Sequence, residues 1–266
     1  RPPLDEVRRA RVPKDRASAN KYKIQSGCSR ASIISSYLPI GGIQLDVSVE
    51  SEKEKSLFAV GRDILIQKRP NDKWIEMLGM KKYNWTSKSY AQDHRRRIID
   101  VKCKEDAAGD GKLLITLTID EGLTDVIDSR YGAHSVALLA SDQDTVCECA
   151  VENMLLVSEF DGDKDEAHGW VAVKLVACEN SWVRNVTAQN FGYSCVHVTG
   201  ISSQITVQDC AHLDPVSVCT GGRRYCFCAE QNARRVLFQR CYTRRGRHSF
   251  VSGARVPGPI VWLDCV

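Results

Sequence analysis

The chain has 266 residues, enough for one large domain or two ordinary ones. Apolar residues make up 43% and charged residues 26%, the balance of a soluble globular protein with a sizeable core. No apolar run approaches the roughly 18 residues of a membrane span, so no membrane partner is expected, and a net charge of +4 is too small by itself to define a partner.

The first 24 residues are basic. Arg1, Arg8, Arg9, Arg11, Lys14, Arg16, Lys21 and Lys23 face only Asp5, Glu6 and Asp15, with prolines at positions 2, 3 and 13. Without an apolar period, residues 1–24 read as an extended arm or linker that lies along the surface or against another chain of an assembly. The chain starts without a hydrophobic leader and stops at Trp262-Leu263-Asp264-Cys265-Val266, which reads as strand. Both ends suggest a processed or partial chain, truncated within its C-terminal coils.

Residues 25–145 are β-rich. Strands are expected at Ala31–Tyr37, Ile43–Val49, Ser56–Val60, Asp63–Gln67, Arg97–Cys103, Leu113–Ile119 and Ser135–Leu139, with turns at Gly41-Gly42, Gly61, Pro70-Asn71-Asp72 and Gly109-Asp110-Gly111. Lys73–Met80 suits one short helix.

From Val151 onward the sequence repeats. The unit is an apolar residue, a polar one, usually Asn or Asp, then an apolar one: Val151-Glu152-Asn153-Met154, Val183-Arg184-Asn185-Val186, Val207-Gln208-Asp209-Cys210, Phe238-Gln239-Arg240-Cys241 and Trp262-Leu263-Asp264-Cys265. Its third position recurs at steps of 32, 24, 31 and 24 residues. Such steps suit stacked coils with variable loops, so residues 146–266 are expected to form a parallel β-helix within an all-β chain. Alternation would put Val and Cys inward and their polar partners outward. A β-sandwich, the rival, does not require one tetrad at coil-sized intervals.

Of the twelve cysteines, ten lie between Cys147 and Cys265. No CxxC occurs, and the CxC pairs Cys147/Cys149 and Cys226/Cys228 have no matching histidines, which argues against a zinc site. Most are expected to be unpaired thiols at inward strand positions.

If the tetrads stack, the loops that follow them share one edge. These loops are Phe160–Trp170, Phe191–Ser194, His212–Tyr225 and Thr243–Ser249. They would gather His168, Tyr193, His212, Asp214, Glu166, Arg223, Arg224, Tyr225, Arg244, Arg245, Arg247 and His248. Arginine binds carboxylates bidentately, and His or Tyr can move protons near neutral pH. Asp161, Asp163 and Asp165 read as a polar turn, with calcium as the one candidate cofactor.

The run Trp182-Val183-Arg184-Asn185-Val186-Thr187, with Gly221-Gly222-Arg223-Arg224-Tyr225, Gly246-Arg247-His248-Ser249-Phe250-Val251 and Arg255-Val256-Pro257-Gly258-Pro259, resembles right-handed parallel β-helix proteins of the pectate-lyase-like (pectin lyase fold) superfamily. Residues 60–80, including Val60-Gly61-Arg62-Asp63 and Leu78-Gly79-Met80, look like the part that precedes the helix in such proteins. The resemblance implies polysaccharide lyases, hydrolases or non-catalytic surface proteins. Its calcium-binding aspartates and catalytic arginine have no clear counterparts here.

The expected function is binding of an acidic polysaccharide and its cleavage by β-elimination. Arg223, Arg224 or Arg247 would neutralise the uronate, His248 or Tyr225 would act as base, and His168 or Glu166 would assist. Arg224, Arg244, Arg245, Asp214, His212 and Tyr193 would hold substrate. The alternative is a non-catalytic structural or adhesive module of a larger surface assembly. A hydrolase using Asp163 and Glu166 and nucleic-acid binding, which lacks aromatic interleaving, are weaker readings. The sequons at Asn84 and Asn185 fit a secreted or cell-surface glycoprotein.

Overall fold

The computed structural model describes residues 21–27, 30–104 and 112–266. Of the arm expected at residues 1–24, residues 1–20 lie outside the described residues. Its last positions belong to folded structure instead: Tyr22 is buried, and Ile24 bridges to Leu139. The chain divides into two compact units, one running Tyr22–Gln143 and the other holding Asp144–Val266.

The first unit contains β1 (Ala31–Ile33), β2 (Tyr37–Leu38), β3 (Gln44–Val49), β4 (Asp63–Lys68), β5 (Gln92–Lys104), β6 (Leu113–Ile119), β7 (Ile127–Asp128) and β8 (Ser135–Leu138). Six of these close a barrel in the order β1-β3-β6-β5-β4-β8, each pair antiparallel, while β2 pairs with β7. Closure removes the open strand edges. Alternating Val47, Ile64, Ile66, Ile98, Ile115, Leu117, Val136 and Leu138 fill the core. The strand expected at Ser56–Val60 is not formed. Helix α1 (Glu52–Leu57) takes that strand's first two residues and a turn follows; Ser51 caps the helix through the Glu54 amide (3.2 Å), and the Glu54 carboxylate accepts the Glu50 amide (2.7 Å). The Ser51 cap, with Glu54 reaching back to the residue before it, overrides the short apolar run. Helix α2 (Asp72–Met77) starts one residue earlier and stops three earlier than expected, capped by Asn71. No helix among the described residues is long and apolar enough to cross a membrane.

The second unit is a parallel β-helix. Its strands are β9 (Val146–Cys147), β10 (Ala150–Val157), β11 (Val171–Val176), β12 (Cys178–Gln189), β13 (Ser194–Thr199), β14 (Ser203–Gln208), β15 (Ala211–Leu213), β16 (Tyr225–Ala229), β17 (Arg234–Gln239), β18 (Tyr242–Arg244), β19 (His248–Ser252) and β20 (Ile260–Leu263). One sheet joins β9 and β10 to β12, then β14 and β15, then β17 and β18, then β20; the other runs β11-β13-β16-β19. Every pairing is parallel, and the register stacks Val151, Val183, Val207, Phe238 and Trp262 at the steps read from the tetrads.

Alternation does not explain the tetrad. Val183 and Val186 are both fully buried although they are three positions apart, an odd offset that alternation would send to opposite faces. The residue between resolves this: Asn153, Asn185, Asp209, Arg240 and Asp264 all adopt left-handed backbone, with φ between 49° and 56°. One such residue bends the strand and resets its inward phase. Asn and Asp tolerate that conformation best among side-chain-bearing residues. A second left-handed column, Glu148, Asn180, Gln204 and Arg235, marks the entry to the same sheet, and a third, Asn190, Asp214 and Arg245, marks its exit.

The eleven cysteines of the described residues are free thiols. Cys195, Cys210, Cys226, Cys228 and Cys241 are buried, but Cys147, Cys149 and Cys219 are exposed, so an inward placement holds for only about half of the helix cysteines. The exposed ones lie at the helix's first strands and in a loop, where no coil covers them. Cys210, Cys241 and Cys265 stack, each thiol 3.5–3.7 Å from a main-chain carbonyl of the preceding coil, those of Val183, Val207 and Phe238.

Candidate functional site

The connections from the large sheet to the sheet β11-β13-β16-β19 leave along one edge and are bonded to one another. The Gly192 and Tyr193 amides donate to the Gly169 and Trp170 carbonyls (3.0 and 2.8 Å), the Arg224 amide to Gly192 (3.3 Å), and the Arg247 and His248 amides to Arg224 (3.1 and 3.2 Å). The four loops therefore form one rim.

Rings line this rim in series. Trp170 stacks on Tyr193 (centroids 6.1 Å, interplanar 16°), Tyr193 meets Tyr225 (5.4 Å), and Tyr225 meets His248 edge-on (5.2 Å). Parallel register produces the series, because β16 and β19 pair Tyr225 with His248. Exposure rises from Tyr193 onward: Tyr193 is buried, Tyr225 half-buried and His248 exposed, while Trp170 at the other end is half-buried. The Tyr193 hydroxyl donates to Glu230 (3.3 Å), and burial pushes its phenol far above the usual range.

Most of the arginines expected to hold substrate are engaged by the protein. Arg223 makes a two-pronged ion pair with Glu166 across two loops. Arg224 donates to the Ser217 carbonyl (2.5 Å). Arg244 pairs with Asp214, and Arg245 approaches the same carboxylate at 3.7 Å. Arg244 also holds the Asp214 carboxyl below the ordinary range. Arg247 is exposed and, among the described residues, its side chain has no hydrogen bond or ion pair.

Two of the expected histidines have structural surroundings. His168 lies 2.8 Å from the Ser158 hydroxyl through Nδ1 and 2.8 Å from the Val216 carbonyl through Nε2, tying loop to loop. His212 is fully buried on β15 rather than on the rim. Its Nε2 is 3.2 Å from the Phe191 carbonyl, its Nδ1 has no hydrogen-bond partner among the described residues, and burial holds its pKa down to about 4. The Asp165 carboxylate accepts the amides of Asp161 (2.9 Å) and Ala167 (2.7 Å), as a polar turn does, while Asp161 and Asp163 are exposed. Among the sequon residues, Asn84 is exposed at the end of a short 3-10 helix, and Asn185 is exposed but donates to Asn153 (2.8 Å).

Sequence reading missed Trp170 as a site residue and overlooked a polar group on the same outer face, His197, Cys228 and Glu230. The His197 imidazole is 2.9 Å from Glu230, which holds that carboxyl below its usual range, and burial pushes the Cys228 thiol up to about 12. Only stacked register could have revealed them, since His197 and Glu230 are 33 residues apart.

No family model matches the chain, and no curated protein matches it. A search of solved structures finds similarity to the Gp54 tailspike of Acinetobacter baumannii bacteriophage AP22, determined in complex with A. baumannii capsular saccharide. That similarity has a TM-score of 0.40 at 9% identity, and the chain spans 89% of its own length but 45% of the tailspike's. The β-helix assignment stands on the parallel strand pairing of this chain.

Proposed function

We propose that the rim of the β-helix binds an acidic polysaccharide, with sugar rings lying along Tyr225 and His248 and a uronate carboxylate held by Arg247. The observation that carries this reading is the ring series crossing four coils and opening toward solvent at Arg247, a rim arginine without a side-chain partner among the described residues. Partly exposed rings beside a few polar groups are what carbohydrate sites are made of. Arginine matches a carboxylate with two parallel hydrogen bonds. The exposed sequon at Asn84 is compatible with a secreted or cell-surface location.

Cleavage by β-elimination is the finer reading. It narrows to Arg247 as neutraliser and to Tyr225 and His248 as proton carriers, since Arg223, Arg224 and His168 have partners within the protein. The same partnering favours the second reading, a non-catalytic adhesive module. Calorimetry with polygalacturonate, alginate, hyaluronan and neutral glucan separates the two. Arg247→Ala should cost the acidic polymers about 10- to 100-fold in affinity, the range of a charge-assisted hydrogen bond, and leave a neutral one unchanged. Tyr225→Ala should weaken all binding. Release of unsaturated uronate, lost in His248→Ala, would establish the lyase. Binding without turnover would leave the module. No binding to any charged polymer would sink the proposal.

A further inference from the structure

We infer that His197, Cys228 and Glu230 form a three-ligand site for a borderline transition-metal ion, zinc in the first place, on the outer face of the sheet β11-β13-β16-β19.

The strand register places the donors. His197 on β13 pairs directly with Cys228 on β16, so imidazole and thiol project from the same face one strand spacing apart. Glu230 follows two residues after Cys228, and its amide is fixed to the Val198 carbonyl at 2.9 Å. The nearest donor atoms of the three side chains all lie within 4.8 Å of one another. Ligands around a tetrahedral zinc, at bonds of about 2.0–2.3 Å, are separated by about 3.3–3.8 Å, so the donors need to close up by no more than about 1.5 Å, within reach of rotamer changes, to meet on one ion. Strands carry His197 and Cys228, and Glu230 follows directly on the end of β16, which suits a preorganised site.

The chemistry of the donors selects the ion. One imidazole nitrogen, one thiolate and one carboxylate make a mixed set that calcium and magnesium, which take oxygen, do not use. The order of divalent affinities favours zinc and cobalt over manganese and iron for such a set. His197 and Cys228 are buried, while the Glu230 side chain keeps 32% of its surface open. An ion therefore has a route in past the carboxylate. Three protein ligands leave one tetrahedral position for water, the pattern of zinc sites that act on substrates. The Tyr193 hydroxyl, 3.3 Å from Glu230 and 3.7 Å from Cys228, is placed as an outer partner that orients both. Coordination releases the Cys228 thiol proton to solvent. The spacing rules that argue against zinc in the sequence count ligands along the chain. Here the ligands come from adjacent coils, which such rules do not see.

The test uses the full chain, stripped with chelator and titrated with cobalt(II) and then zinc. A Cys147→Ser/Cys149→Ser background removes the exposed pair as a competitor. The expected result is one cobalt per chain with a thiolate-to-cobalt charge-transfer band that zinc abolishes. Cys228→Ser should lose the band. His197→Gln and Glu230→Gln should keep the thiolate but weaken binding by at least about 10- to 100-fold, the loss that even outer partners produce. Should Cys228→Ser fail to fold, these two variants decide, since Glu230 is partly exposed and its amide replacement is isosteric. No charge-transfer band at saturating cobalt would overturn the inference. So would a band that persists in folded Cys228→Ser, or affinities unchanged in both His197→Gln and Glu230→Gln.

Discussion

The left-handed asparagine column makes the sharpest test of how this sequence builds coils. Asn185 has φ 52° and its amide donates to Asn153 on the coil before at 2.8 Å. Two energies are at stake. An ordinary side-chain-bearing residue in left-handed conformation costs roughly 1–2 kcal/mol, and Asn pays less than that. The exposed ladder bond contributes about 0.5 kcal/mol, the low end for a net hydrogen bond. Asn185→Ala loses both and should destabilise the β-helix by about 2 kcal/mol. Asn185→Gly loses the bond and adds unfolded-state freedom of about 0.4–1 kcal/mol, but meets no steric cost at this φ. It should therefore fall short of wild type by only about 1 kcal/mol. Urea unfolding followed by far-ultraviolet dichroism gives the midpoints, with the slope as a check that the unfolded states match. If alanine proves as stable as glycine, backbone conformation is not what asparagine serves here, and the phase-reset account of the tetrad falls with it.

Acidification should destabilise the β-helix through His212. Its pKa is held down to about 4 in the fold, so the unfolded chain binds the proton first as pH falls below the ordinary value of 6.5. Stability is then full above pH 6.5 and is lost as pH drops toward 4, by about 3 kcal/mol at most; His212→Leu should flatten that part of the pH profile. In the barrel, buried Lys68 lies 2.5 Å from Asp125 and 4.0 Å from the Trp74 ring centre. Asp125→Ala strands the ammonium and should cost about 3 kcal/mol, whereas Lys68→Met should be near neutral, both read from Trp fluorescence during unfolding. Equal losses in the two variants would contradict the desolvation argument. Thiol titration of the denatured, unreduced chain should find most of the twelve cysteines free; fewer than about four would point to a disulfide scaffold.

Coil phase was legible because stacking demands it. Inward residues that share a column are all apolar, as Val151, Val183, Val207, Phe238 and Trp262 are, so the tetrad steps reproduce the observed register. What the tetrad does was not legible. Apolar-polar-Asn-apolar looks like alternation with an error, and only backbone angles show the third residue turning the strand. The barrel was harder. Its strands are visible as apolar runs, but the order β1-β3-β6-β5-β4-β8 depends on non-local pairings that leave no local mark. Ser56–Val60 was misread because an apolar run outweighed the Ser51-Glu52-Lys53-Glu54 capping signature. At the rim, residue types were visible and partners were not. Glu166 and Arg223 are 57 residues apart, and nothing in either neighbourhood announces that they neutralise each other.

That pairing also explains where the open arginine comes from. Glu166 with Arg223, Asp209 with Arg240, and Asp214 with Arg244 each join an acid to an arginine from a later segment of the helix. These pairs align loops and coils, and they use up much of the rim's positive charge. Arg247 follows Gly246, and that glycine sets its course. A Cβ added at Gly246 would lie 2.6 Å from the Cys226 sulfur, a buried atom that cannot yield, so the loop passes close over the core only with glycine there. Gly246→Ala must push the chain outward and shift Arg247 and His248 relative to Tyr225. The overpacking should cost about 1–3 kcal/mol and, if the rim binds acidic glycan, lower that affinity about as far as Arg247→Ala does. Gly221→Ala, in the neighbouring loop with nothing within 4 Å of the new methyl, should change stability by no more than about 0.5 kcal/mol. Adding Cys226→Ala to Gly246→Ala removes the obstructing sulfur and should restore much of the affinity. Restoration would tie the placement of Arg247 to that single close approach. A Gly246→Ala protein with unaltered stability and unaltered binding would show instead that the loop finds its course without it.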